Sequence, residues 1–320
     1  MPPSRIAVTG AAGYIGRHLV AALAQQAWVE TILAVDVRPV PLMPPKVVPL
    51  QHDVAHALPW VFEGALRSFG IQAIVPLAFQ LRPGRNRQAV RQVNVGGLES
   101  TLKACAAAGV HQVLYLSSST VYGAHPDNPI PLTEDAPLRP NAGFQYAEDK
   151  VEAEKLLVRW GQENPHTTVT ILRGCPVMGP GADNFVARAL SKPLLPACVG
   201  HDPPLQFLHM DDQVSILLRM LKEPVSGTFN LAGEGTLLWS ALARLAGRPL
   251  IRLPCLALEA LTEGSWRLRL QRDSSAVGLA FIRWPFVVST HRLTQATGWK
   301  PRYTVQQAVE AFLQKAAVPV

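Results

Sequence analysis

The stretch IAVTGAAGYIGRHLVAALAQQ (Ile6 to Gln26) joins a short apolar run to a Gly-rich turn and then to a segment with apolar residues at helical spacing. Gly10, Gly13 and Gly16 fall in the order G-x-x-G-x-x-G. A pyrophosphate can approach backbone N–H groups only where no Cβ intervenes, and a helix N-terminus favours negative charge. Turns also recruit glycine, so the triplet alone is weak. Its place after a first strand and at the opening of a helix is what points to a dinucleotide. Asp36 ends the second apolar run, TILAVDV, twenty residues after Gly16. A carboxylate there can accept both ribose hydroxyls of an adenosine and would repel a 2′-phosphate, which predicts NAD rather than NADP. Arg38 works the other way, since an arginine could accept that phosphate. Asp53, in QHDV at the end of the third run, is either a partner for the adenine amino group or a strand-end cap.

Outward from this segment, β-rich runs alternate with helical ones to about residue 175: RIAVTG, TILAVDV, VVPLQHDV, AIVPLAF, VLYLSSS and VTILRG, separated by GRHLVAALAQQ, AVRQVNVGGLESTLKACAAAG and AEDKVEAEKLLVRWGQ. Such alternation implies an α/β protein with a doubly wound parallel sheet covered by helices on both faces. Beyond residue 175, CPVMGPGADN and SKPLLPACVGHDPP are rich in Pro and Gly, as binding loops beyond the carboxyl edge of a sheet are.

The 320 residues are 48% apolar and 17% charged, the make-up of an ordered enzyme-sized protein. MPPSR runs straight into the first strand with no signal pattern, and PLIRLPCLALEALTEG is broken by Arg252, Pro254 and Glu259, against a membrane span. Cys105, Cys175, Cys198 and Cys255 are far apart in the chain and form no CxxC pair, which argues against zinc and a disulfide framework and fits the cytoplasm. The net charge of +7 gathers in LRPGRNRQAVR (Leu81 to Arg91) and WRLRLQR (Trp266 to Arg272). These read as solvated faces, with an anionic substrate or acidic membrane surface as the sharper alternative. No recognised module suggests nucleic acid. The cluster HMDD (His209 to Asp212) lacks further ligands at metal-site spacing and reads as a helix entry, so no metal is expected.

NAGFQYAEDKVEAEKLL (Asn141 to Leu157) opens as a turn and continues as a helix, with Tyr146 and Lys150 stacked one turn apart on one face. Together with TGAAGYIG, QVNVGGLEST, YLSSSTVYG, ILRGCPVMGPG, FLHMDD and TGWKPRYTVQQAVEAF, this segment resembles the extended short-chain dehydrogenase/reductases, also called the NAD-dependent epimerase/dehydratase family. The resemblance covers nearly the whole chain. It implies a Rossmann domain over 1–175, with 205–232 returning to it, and a smaller substrate-binding cap from 176–204 and 233–320. It makes Tyr146 the acid/base, Lys150 its partner and Ser118 the third catalytic residue. A phenol titrates near 10, too high for a base at neutral pH, and an adjacent ammonium favours the phenolate. The resemblance further assigns Tyr14, Ile15, Val54, Leu77, Ala78, Phe79, Asn94, Pro176 and Val177 to the dinucleotide beside the glycines and acids above. Asn94 is also implied as a brace of the sheet. Ser119, Thr120, Met178 and Phe185 are implied at the substrate, although Ser119 and Thr120, like Tyr122, could simply finish the strand. Helices near Val90 to Ala107 and Tyr146 to Gly161 match the pair that forms a dimer in the family.

The chain also departs from the family. Sugar-nucleotide members carry Asn and Tyr where this chain has Pro176 and Met178, and an Arg that grips diphosphate where it has Leu205; Pro76 replaces a frequent His. LARLAGRPLIRLPCLALEALTEGSWRLRLQRDSSAVGLAFIRWPF is more apolar and aromatic than a usual sugar-nucleotide lid, either as a helical cap core or as a pocket or membrane-facing entrance for a hydrophobic substrate. The expectation is NAD-dependent oxidation and reduction at a secondary alcohol, as in a nucleotide-sugar epimerase or dehydratase. The rivals are a net dehydrogenase of a sterol-, lipid- or phenol-like alcohol and a non-enzymatic NAD-binding sensor.

Overall fold

In the first strand Ile6, Ala7 and Val8 are all fully buried, the mark of a strand covered on both faces. The computed structural model describes residues 2–40, 44–56, 59–82, 84, 86–271 and 273–316. Arg85 and Arg272, in the two basic stretches, lie outside the described residues. Six strands, β1 (Arg5–Thr9), β2 (Thr31–Asp36), β3 (Val47–Gln51), β4 (Ala73–Pro76), β5 (Gln112–Ser118) and β6 (Thr168–Gly174), alternate with helices α1 (Tyr14–Ala24), α2 (Pro59–Ser68), α3 (Arg87–Arg91), α4 (Gly97–Ala108) and α5 (Gln145–Glu163). Then come β7 (Val177–Met178), α6 (Phe185–Leu190), β8 (Leu195–Cys198), β9 (Pro204–Leu205), β10 (Leu208–His209), α7 (Met210–Lys222) and β11 (Gly227–Leu231). The chain ends with β12 (Leu237–Leu238), α8 (Trp239–Leu245), β13 (Leu250–Leu253), α9 (Cys255–Arg267), α10 (His291–Thr297) and α11 (Val305–Ala316).

Seven strands form one parallel sheet in the order β3-β2-β1-β4-β5-β6-β11. Side chains alternate between two apolar layers. Ile6, Val8, Ile32 and Ala34 pack with Leu19 and Leu23 of α1 and Ile216 and Met220 of α7. Ala7, Leu33 and Val35 pack on the other face with Phe62 of α2, Leu102 of α4 and Leu157 of α5. This is the doubly wound Rossmann arrangement. The strand order reverses between β1 and β4, and a ligand crevice opens where the carboxyl ends of such strands diverge. The sequence AVRQVNVGGLESTLKACAAAG suggests one continuous helix. Instead α3 and α4 are joined by a π-helical turn, Gln92–Gly96, that carries Asn94.

Small two-stranded pairings lie outside the sheet: β7 with β10, β9 with β12 and β8 with β13. Asp212, fully buried, accepts backbone N–H bonds from Arg302 (3.0 Å) and Tyr303 (3.0 Å) and so fastens the C-terminal segment. His209 caps α7 by accepting from the Asp211 N–H at 3.1 Å and stacks on Tyr303 with ring centroids 3.9 Å apart. HMDD is therefore a helix entry with a structural carboxylate. Cys198 and Cys255, distant in the chain, are neighbours; burial first, then Cys255, pushes the Cys198 thiol up to about 12.

Beneath the carboxyl end of β5, Arg173 makes a double-pronged ion pair with Glu154 of α5 (2.7 Å at the closest), and the two side chains are 8% and 4% exposed. Ser117 donates to Glu154, and Arg173 donates to the Tyr122 hydroxyl (2.8 Å) and the Glu134 carbonyl (3.0 Å). Tyr122 in turn donates to Asn230 of β11 at 2.7 Å. Tyr122 thus belongs to the core network. Removing one partner of a buried pair strands the other charge. Arg173→Met should lower unfolding free energy in urea by about 3–5 kcal/mol; a loss under about 1 kcal/mol, typical of surface pairs, would show that the network does not hold these elements together.

Candidate active site

Burial of the strands forces the turn after β1 to be tight. Gly10 sits at φ 67°, where a Cβ would come within 2.7 Å of the Leu77 and Ala78 backbone, and a Cβ on Gly16 would lie 2.2 Å from the Gly10 carbonyl. Only glycine permits this approach of β1, α1 and the end of β4. α1 begins at Gly13 with no side-chain cap and no acid in its first turn. Its first N–H groups are orphan donors at the positive end of an eleven-residue helix, and Gly13, Tyr14, Ile15 and Gly16 all line the same large cavity. That arrangement fits the diphosphate of a dinucleotide.

The cavity holds about 1050 Å³. Its wall brings together Leu77 and Phe79 after β4, Ser118 at the end of β5 and Thr120 just beyond, Tyr146 and Lys150 of α5, Pro176 and Val177 after β6, and Phe185 of α6. Two residues expected at the substrate stand elsewhere. Met178 is fully buried in the core on the β7 pairing, and Ser119, 1% exposed, has no place in the cavity wall. Val54, Ala78 and Asn94 border a separate, much smaller cavity. Asp36, Arg38 and Asp53 lie outside the large cavity's wall, at and beyond the ends of β2 and β3.

Asp36 is buried and already held: one carboxylate oxygen accepts from the Ala12 N–H at 2.9 Å, the other from the Arg38 N–H at 3.0 Å and Nε at 3.3 Å. Each oxygen has two lone-pair sites, so the carboxylate keeps acceptor capacity. Asp53 caps its own turn, accepting from the Ala55 N–H at 2.9 Å and meeting His56 at 3.0 Å. Asn94 accepts from the Gln80 N–H at 2.7 Å and donates to Asp149 at 3.0 Å, tying the loop after β4 to α5.

Lys150 does not spend its ammonium on Tyr146 in the way the i, i+4 spacing suggests. Its Nζ donates to the Leu116 carbonyl (2.7 Å) and the Tyr115 hydroxyl (3.2 Å) and lies 3.8 Å above the Phe79 ring. Phe79 meets the edge of Tyr146 at 5.5 Å, so one ring supports both candidate groups. Burial pulls Lys150 down to about 7, with Glu154 acting in the opposite direction. Burial likewise pushes the Tyr146 phenol up, and the Ser118 hydroxyl acts against that rise. Ser118 Oγ accepts from the Thr120 N–H (3.2 Å) and hydroxyl (2.9 Å), which leaves its own proton free to donate.

Two features of the wall escape the sequence patterns. Gln213 of α7 is fully buried, its amide oxygen and nitrogen have no partner among the described residues, and it lines the cavity. The only signal was a polar residue on the buried face of an amphipathic helix. The two basic stretches also converge: Arg82 and Arg87 from one, Arg267 and Arg269 from the other, and Arg188 of α6 reach the same cavity. Four are engaged by carboxylates, Arg82 and Arg188 with Asp183, Arg87 with Glu148, Arg267 with Glu263. Among the described residues no group of three His, Cys, Asp or Glu side chains is placed to hold a metal ion.

The chain is similar to several known proteins. The chain is 29% identical over 98% of its length, and 84% of the relative's, to an uncharacterised protein of Mycobacterium tuberculosis. It is 28% identical to the GDP-6-deoxy-D-mannose reductase of Pseudomonas aeruginosa, over 97% of this chain and 96% of that one. Among solved structures, the UDP-glucose 4-epimerase of Thermotoga maritima with UDP-glucose superposes with a TM-score of 0.76 at 17% identity, each chain covered to 98%. Residues 6–232 match the model of the NAD dependent epimerase/dehydratase family. The chain belongs to that family, as an enzyme of the extended short-chain dehydrogenase/reductase type whose cofactor is NAD.

Proposed function

We propose that the protein oxidises and reduces a secondary alcohol/ketone pair, with Tyr146 as acid/base, Ser118 as hydrogen-bond donor and Lys150 as the charge that supports the phenolate. The observation that carries this reading is the convergence of these three residues on one cavity that begins at the uncapped N-terminus of α1. NAD would be held by the N–H groups of that helix and by Asp36, and when bound it supplies a nicotinamide ring that takes a hydride from carbon or returns one.

The Tyr146 phenolate takes the proton of the substrate hydroxyl and becomes the phenol, and Ser118 donates to the same oxygen as it becomes a carbonyl. Burial opposes either charge alone, raising Tyr146 and lowering Lys150. An ammonium at Lys150 would favour the phenolate at Tyr146. Phe79 packs against both the Tyr146 ring and the Lys150 amine. Phe185, Val186 and Arg188, with Trp266, Phe281 and Phe286, also line the cavity.

Two observations bear on the substrate. An aromatic run leads away from the phenol, Tyr146 to Phe144 (6.1 Å), Phe144 to Phe281 (4.9 Å) and Phe281 to Phe286 (5.0 Å), and Leu205, where sugar-nucleotide members carry an arginine, is buried in the core. These favour an alcohol with an apolar body. The arginines around the same cavity, together with the similarity to the Pseudomonas reductase, favour an anionic group such as the diphosphate of a nucleotide sugar. With NAD present, nucleotide sugars and lipid or sterol alcohols should separate by the thermal shift they produce. Turnover without net NADH would then indicate epimerisation, and steady NADH accumulation a net dehydrogenase.

Tyr146→Phe should cut turnover by about 10²–10⁴-fold while NAD affinity stays near that of the parent; activity within a few fold of the parent would take the proton transfer away from Tyr146. For Lys150, the folded value of about 7 lies below the 10.5 of a free lysine. The unfolded chain therefore takes up the proton first as pH falls, and the amine's contribution to stability is full above 10.5 and is lost progressively down to 7. Urea unfolding of Lys150→Met beside the parent should show the variant gaining relative stability as pH drops across that range. A gap that does not change with pH would mean the amine is not desolvated.

A further inference from the structure

We propose that α9 and the turn after it dock on an anionic lipid bilayer, with the cavity mouth facing the membrane. A helix on a water-soluble surface normally turns its polar side outward. In α9 the exposed side carries Leu256, Ala257, Ala260, Leu261 and, just past the end, Leu268, whereas Glu259, Thr262, Glu263 and Ser265 are only partly exposed. The leucines are far out in solvent: Leu256 81%, Leu261 63%, Leu268 72% and Leu270 77%. This is a concentrated apolar face, distinct from the scattered single residues normal at a surface.

The ending of the helix points the same way. Leu270 N–H bonds the Ser265 carbonyl at 2.9 Å and Arg269 N–H bonds the Trp266 carbonyl at 3.1 Å, a helix stop whose left-handed position usually holds glycine. Here it holds Arg269 at φ 66°, which is, among the described residues, the one non-glycine residue with positive φ. A strained arginine kept between two exposed leucines indicates a use for its charge. Arg269 and Arg252, the latter in the strand just before α9, are exposed, and the acids of α9 are neutralised by pairing, Glu259 with Arg283 and Glu263 with Arg267. Leucines at the depth of the acyl boundary with arginines among headgroup phosphates is the pattern of an interfacial helix. A second copy of the chain suits the face less well, since a two-fold contact would set the same cationic patch against its copy.

Trp266, Arg267 and Arg269 also line the mouth of the catalytic cavity, whose inner wall is the aromatic run from Tyr146 to Phe286. A surface seated on lipid would let an alcohol dissolved in the bilayer enter without crossing water. This step rests on the apolar-substrate reading above, whereas docking itself requires no turnover. Among the described residues no helix is long and apolar enough to cross a membrane.

The test is co-sedimentation of the full chain with phosphatidylcholine vesicles containing or lacking phosphatidylglycerol. The protein should pellet with the anionic vesicles and release in high salt. Leu256→Glu/Leu261→Glu/Leu268→Glu should reduce partitioning by about tenfold or more, with the NAD-induced thermal shift retained as proof of folding. Arg269→Gly, which suits the left-handed backbone, should weaken the dependence on phosphatidylglycerol. Tyr146→Phe should bind vesicles like the parent, so a failure of the chemistry stays separate from a failure of docking. A parent that remains in the supernatant with both vesicle types, or a triple variant that pellets as well as the parent, would overturn the proposal. So would a lipid-free dimer in sedimentation velocity that the triple variant converts to monomer, which would assign the face to a second copy.

Discussion

A primary amine kept out of water against one carbonyl, one phenol and one aromatic face is the constraint around which this site is organised. The Lys150 ammonium is costly to bury and is tolerated because Leu116, Tyr115 and Phe79 take over part of its solvation. Those partners come from β5 and from the loop after β4, so the amine can be housed only once α5 has packed across both strands. The same packing sets Tyr146 one turn earlier, against the edge of Phe79. Fold and chemistry meet in that contact: the aromatic ring that shields the amine also orients the phenol.

Around this centre the structure separates carrying load from doing chemistry. Arg173, Glu154, Tyr122 and Asn230 form a buried polar web under the sheet that reaches from α5 to β11. Asp212 fixes the C-terminal segment through two backbone donors. None of these five side chains lines the cavity, yet they hold the elements that present it. Asn94 acts similarly from its π-helical turn, where the widened backbone lets one amide bond Gln80 and Asp149 together.

Much of this was legible in the chain. The glycine spacing at Gly10, Gly13 and Gly16 is dictated by backbone contact distances, which is why a pattern of residue types locates the turn and the helix after it. Strand-helix alternation likewise placed six of the seven strands, because most of them are buried on both faces and read as continuous apolar runs. What stayed hidden depends on tertiary neighbours. Ser119 is buried in the turn after β5, and Met178, already a departure from the family's Tyr, is buried on the β7 pairing. Lys150 is spaced for Tyr146, yet its Nζ is claimed by a carbonyl on another element. Gln213 looks like any polar helix residue until burial strips it of partners. The basic stretches, nearly two hundred residues apart in the sequence, read as separate solvated faces until the fold brings them to one opening.

The pairing of β11 with β6 has a consequence for how such a protein can be assembled or altered. Residues 227–231 complete the sheet only after the chain has left it at Gly174 and built several further elements. During synthesis β6 must wait with an open edge, its amides and carbonyls available to any extended strand nearby. A truncation after β6 would make that exposure permanent. For the same reason, grafting a different lid onto this scaffold would take two splices rather than one, on either side of the returning strand.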